Sequence, residues 1–115
     1  MRIVATKKDL AAALASAGRI ASAKATMPVL SMVRLTAAET GVELAATDME
    51  LSVRLPVEAT VEESGSVLLP RVASDIVRSL ADGPVTIEHR AGEGVATLSG
   101  GNSSFTLNCL QAADY

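Results

Sequence analysis

Aromatic side chains are nearly absent from this 115-residue chain: Phe105 and Tyr115 are the only two, and there is no tryptophan. That scarcity argues against holding single-stranded nucleic acid by base stacking, which needs aromatic platforms, and the core has to be built mainly from Val, Leu, Ile and Ala. Cysteine is limited to Cys109, which excludes an intrachain disulfide and suits a reducing cytosol. His89 is the sole histidine, so neither a His-based metal site nor a Cys–His pair close in sequence is suggested. Nor is there an excess of positive charge. Ten Lys plus Arg stand against 13 Asp plus Glu, a net charge of −3, so any contact with nucleic acid must come from locally placed cations. No apolar run is long enough for a signal peptide or a membrane span, and Met1–Ala5 turns polar at Thr6-Lys7-Lys8-Asp9. A cytoplasmic protein with no membrane partner is expected.

Hydrophobic residues make up 49% of the chain, which argues against intrinsic disorder. The length is that of one ordinary domain, 1–115, with no linker or low-complexity segment dividing it. Arg2–Ala5 reads as a strand, and Thr6 as the N-cap of a helix whose apolar stripe is Leu10, Ala13, Leu14 and Ala17, with Gly18 its stop. Arg19 to Met27 reads as a loop. The period then changes to two: Val33 and Leu35, then Val42, Leu44 and Ala46, then Leu51, Val53 and Leu55, then Val57–Val61. After Glu62–Gly65 the pattern restarts. Ser66–Leu69 is a strand, and Pro70 opens a second helix with the stripe Val72, Ala73, Ile76, Val77 and Leu80. Strands follow at Val85–His89, Val95–Ser99 and Ser104–Leu110, with glycine turns at 92–94 and 100–101. This is a duplicated strand–helix–strands unit of roughly 55 residues. The expected class is α+β, with both helices, Lys7–Ala17 and Pro70–Leu80, on one face of a curved antiparallel sheet.

Catalytic groupings are missing, and no enzyme is expected. Asp48 and Glu50 read as a turn and a solvated position, since a hard cation wants several converging oxygens. Gly92-Glu93-Gly94 begins like a dinucleotide fingerprint, but Thr97 stands where the third glycine belongs. Asn102-Ser103-Ser104 is a glycosylation sequon, irrelevant outside a secretory pathway. His89 is expected exposed or half-buried, Cys109 buried and inert, Met27 and Met32 core fillers. No metal or cofactor is expected. The helix faces opposite the apolar stripes carry Lys8, Ala12, Ala15 and Arg19, and Arg71, Ser74 or Asp75, and Arg78. Such sparse cations serve an ordinary solvated face, or a surface that touches phosphate without reading bases.

Four segments in order resemble the N-terminal domain of bacterial DNA sliding clamps, the DNA polymerase III beta subunit. They are Thr26-Met27-Pro28-Val29-Leu30, Ala46-Thr47-Asp48-Met49-Glu50-Leu51, Asp75-Ile76-Val77-Arg78-Ser79-Leu80, and Phe105-Thr106-Leu107 followed by Ala112-Ala113-Asp114-Tyr115. The resemblance implies a non-catalytic accessory subunit of three such domains, two subunits closing head to tail around duplex DNA and tethering the polymerase. It implies sequence-independent duplex contacts at Lys24, Arg71 and Arg78, with Arg19 and Lys8 on the same wall. It also implies a subunit interface at the last strand, with Phe105, Leu107 and Ile76 as its apolar contact. The second clamp subunit is the implied partner there, while polymerase and clamp loader would bind domains beyond Tyr115. A chain of this length is thus expected to be one domain of a longer, truncated subunit. Two departures stand out. The second helix opens Pro70-Arg71-Val72-Ala73, one residue short of the family's P-A-R-K and without its lysine, and Asn102, Ser103 and Ser104 are neutral where members carry cations. The rival reading is a free-standing module that recruits a protein partner through an exposed sheet edge.

Overall fold

Thr6 closes one element and opens the next. In the computed structural model, which describes residues 1–21, 31–47 and 51–110, strand β1 (Arg2–Thr6) runs directly into helix α1 (Lys7–Ile20). The Thr6 hydroxyl accepts from the Asp9 N–H at 3.3 Å, satisfying one of the helix's orphan donors. The helix outruns the expected stop. Gly18 is not among the glycines with positive φ, so the left-handed turn that ends a helix does not form there. Ile20 instead packs on the core, and the buried Ala21 caps the helix, its N–H donating to the Ala17 carbonyl at 3.2 Å. Arg19 is therefore helical, not part of a loop.

The remaining elements are β2 (Met32–Ala38), β3 (Gly41–Thr47), β4 (Ser52–Val57), β5 (Ala59–Glu63), β6 (Gly65–Pro70), α2 (Val72–Ser79), β7 (Pro84–His89), β8 (Val95–Gly100) and β9 (Ser103–Asn108). Pro70 ends β6, paired with Met32, and does not open the helix. It has no N–H to give a ladder, and an edge strand tolerates that omission. Val72 leaves the expected stripe: it is 48% exposed, while Ala73, Val77 and Leu80, at i, i+4 and i+7, are buried.

The strands divide into two antiparallel sheets among the described residues, β5-β1-β7-β8-β9 and β4-β3-β2-β6. The order exposes the duplication. Each half contributes a first strand, a helix and a three-strand meander, and each first strand joins the other half's meander: β1 pairs with β7, and β6 with β2. The exchange extends one step further. After β4 the chain crosses as β5 to pair with β1, and after β9 Leu110 crosses to bridge Leu68 of β6. This reciprocity is what a pseudo-two-fold axis requires, and it ties the halves into one cooperative unit.

Helices α1 and α2 pack against each other, and α1 also rests on β1, β2, β3 and β4. One core joins both sheets and both helices, and its largest fully buried side chains are Ile3, Leu10, Leu35, Leu44, Leu69, Ile87 and Leu98 among other aliphatics. Branched and linear aliphatics thus do the filling that aromatics do elsewhere. Each buried Leu or Ile contributes roughly 1.5–3 kcal/mol through removal of apolar surface from water.

Candidate nucleic-acid interface

Where α1 and α2 meet, their outward stripes form the walls of a shallow cleft. From α1 it takes Ala15, Gly18 and Arg19, and from α2 and its cap Arg71, Ser74, Asp75 and Arg78. Small residues on α1 let the second helix approach, and the cations stand at the rim. Arg19 from the first helix and Arg71 and Arg78 from the second are thus brought to one place. Arg19 reaches it only because α1 continues past Gly18.

Two of the three are already engaged. Arg71 donates from Nη2 to the Gly18 carbonyl at 3.2 Å. That carbonyl lies in the last turn of α1, at the negative end of the helix dipole, so a guanidinium there is favourable in charge as well as in hydrogen bonding. Arg78 is bound by the Asp75 carboxylate one turn earlier on α2. The Arg19 side chain has no hydrogen-bond or ion-pair partner among the described residues. Lys8 is exposed on the same α1 stripe, about 16 Å along the axis from Arg19 at 1.5 Å per residue, and it does not line the cleft. Its neighbour Lys7 is taken up by Asp82 at 3.7 Å. Lys24 and the whole Thr26-Met27-Pro28-Val29-Leu30 motif, with the expected core filler Met27, lie outside the described residues, as do Asp48-Met49-Glu50 and Ala112–Tyr115.

A second feature is the free edge of β9. Its register sets Phe105 opposite Leu98 and Leu107 opposite Ala96, so both face the core side of the sheet. Leu107 is buried there, but Phe105 remains 38% exposed at the rim. Ile76, on α2, is packed against the core. Among the described residues no strand covers the outer side of β9 along Ser103–Asn108, and neither Lys nor Pro occurs in it to discourage pairing.

The histidine departs from expectation. His89 is buried, and its Nε2 donates to the Glu93 carbonyl at 2.9 Å, closing the β7–β8 turn. A buried imidazole needs such a partner, and the alternation of β7 turns His89 to the same side as Val85 and Ile87. Cys109 is buried as expected, and burial first, then the charge of Glu93, pushes its thiol above its ordinary 9.0. Among the described residues no group of three or more His, Cys, Asp or Glu could hold a metal ion, and no helix is long and apolar enough to cross a membrane.

The whole chain, residues 1–115, matches the family described as DNA polymerase III beta subunit, N-terminal domain. It is 40% identical over 117 residues to the beta sliding clamp of Streptomyces coelicolor, covering 100% of this chain and 30% of that protein. To the beta sliding clamp of Micrococcus luteus it is 37% identical, covering 100% of this chain and 37% of the relative. The crystal structure of the DNA polymerase sliding clamp from Bacillus subtilis superposes with a TM-score of 0.93 at 26% identity, over 100% of this chain and 32% of that one. The chain therefore spans about a third of the length of the relatives it matches.

Proposed function

The chain belongs to the family of DNA polymerase III beta-subunit N-terminal domains, and from that premise we propose that it is one segment of a ring that encircles duplex DNA and tethers the replicative polymerase. In this reading it acts in the cytoplasm as a non-catalytic accessory domain, the first of three in its subunit. The observation that carries the reading is the convergence of Arg19, Arg71 and Arg78 on one interhelical cleft. The arrangement fits phosphate and not bases. The cations are few, sit on helix flanks in a shallow surface, and present no projecting helix or ribbon to enter a groove. Lys8 adds charge along the same wall, and Lys24 is assigned to it from sequence. The edge of β9, with Phe105 at its rim and Leu107 buried beneath the sheet, is the proposed junction with the second subunit, and Ile76 of α2 is assigned to it from sequence. Polymerase and clamp loader would engage other domains.

Titration of the 115-residue chain against labelled duplexes of unrelated sequence tests this. Binding is expected to be weak and equal across sequences, and to fall with salt at a log–log slope of about −0.9 for each phosphate contacted. Replacing Lys24, Arg71 and Arg78 by Ala should flatten the slope. Tight binding to one sequence at physiological salt would contradict the reading.

A further inference from the structure

The cleft that gathers three guanidinium groups also holds a carboxylate, Asp75, the one acid lining it among the described residues. Asp75 lies on the first turn of α2, and its Oδ1 is bonded to the Arg78 guanidinium three residues on. The side chains are 67% and 61% exposed, so water would solvate each of them and neither needs the other in order to fold. The pair joins no two elements, since both residues sit on one helix. Its consequence falls instead on what else can reach Arg78.

We infer that Asp75 sets the affinity of this surface for DNA phosphate by competing for Arg78. The inference rests on the phosphate-facing reading above. A carboxylate and a phosphate offer a guanidinium the same chemistry, two oxygens matched to its fork of N–H donors. The carboxylate is attached one helical turn away, so it is always present at high effective concentration, and a phosphate gains Arg78 only by displacing it. An exposed pair of this kind is weak, so the competitor lowers affinity without abolishing it. Arg71 is restrained similarly, by the Gly18 carbonyl; among the described residues the Arg19 side chain has no such partner. A surface held in this state grips no single phosphate firmly, which suits a protein that has to move along its duplex.

The test is Asp75→Asn in the 115-residue chain, titrated against a labelled duplex from about 50 to about 200 mM salt. Asn keeps the shape and removes the charge. At low salt binding should tighten about two- to fivefold, since a weak exposed pair is being released. The log–log salt slope should steepen by up to about 0.9, the increment for one added phosphate contact. In an Arg78→Ala background the same change should gain little. Asp75→Glu, which keeps the competitor, should bind like wild type. Asp75→Ser repeats the measurement if Asn disturbs the helix start, and circular dichroism checks that each variant is folded. A gain as large in the Arg78→Ala background means that Asp75 acts only as net charge, which overturns the inference, as does a folded Asp75→Asn or Asp75→Ser chain that binds like wild type. Those results leave the phosphate-facing reading standing. If wild type and all variants fail to bind duplex even at the lowest salt, that reading falls and the inference with it.

Discussion

Replacing Phe105 by Asp should keep the chain monomeric at concentrations where wild type self-associates. In the 115-residue chain alone, the edge of β9 that no described strand covers is open to a second copy of itself, and a contact confined to that 6-residue strand falls below the roughly 1,200 Å² of a stable interface. A dissociation constant on the order of 0.1 mM, about −5.5 kcal/mol, is the scale to expect. Phe105 is 38% exposed, and a phenylalanine presents about 200 Å², so about 75 Å² of apolar surface awaits a partner. At 25 cal/mol per Å² its burial supplies about 1.9 kcal/mol, or about 25-fold in the dissociation constant. Asp removes that and brings a charge that resists desolvation. The same substitution costs the monomer more, about 3 kcal/mol on the same scale, because most of the ring is already buried. Ser104→Lys serves as the companion variant: it places a cation on the edge at an exposed position and leaves the core alone. Sedimentation across a concentration series, with a melt for each variant, reads the outcome. Wild type that is monomeric at every concentration, or self-association unchanged in both folded variants, would refute the reasoning.

Gly18→Ala should stabilise the chain by about 0.8–1 kcal/mol, because Gly18 lies inside α1 with nothing within 4 Å of an added Cβ; an unchanged or lower melting temperature would argue that the helix stops earlier. Gly65→Ala should do the reverse, by at least about 1–3 kcal/mol, since φ is +154° and its Cβ would stand 2.9 Å from that of Met1; a denaturant midpoint within error of wild type would count against it. The Cys109 thiol, raised above 9.0, holds its proton more tightly in the folded chain than in the unfolded one. The stability this gives is complete below about pH 9 and is lost as pH rises through the folded value. Ultraviolet titration of thiolate should therefore lag in the folded chain relative to the chain in urea, and coincident curves would contradict the burial.

Element types were legible because each carries its own period. Thr6 and Asp9 marked the start of α1, and the alternation of Val42, Leu44 and Ala46 marked β3. What alternation cannot specify is which strand lies beside which. The pairing of β1 with β7 and of β6 with β2 depends on contacts between halves, so the division into two sheets was invisible locally. Gly18 misled because a glycine ends a helix only when its backbone turns left-handed, and here Ile20 and Ala21 gain more by staying against the core. Val72 shares its residue type with the buried stripe but not its angle around the axis. At the cleft, Arg71 and Arg78 were legible as outward cations, and Asp75 stood three residues from Arg78 in plain view. The bond from Arg71 to the Gly18 carbonyl was not, since it links a side chain to main chain 53 residues away.

The central claim, that the helices and not the sheets face DNA, is tested most directly by mapping amide shifts in an NMR titration of the chain with a short duplex at low salt. The account predicts that shifts gather around Ala15, Gly18, Arg19, Arg71, Ser74 and Arg78 at the interhelical cleft. Thr97 and Thr106, paired across the outer face of β8 and β9, should stay still. Shifts concentrated on that outer face, with the cleft unmoved, would contradict it.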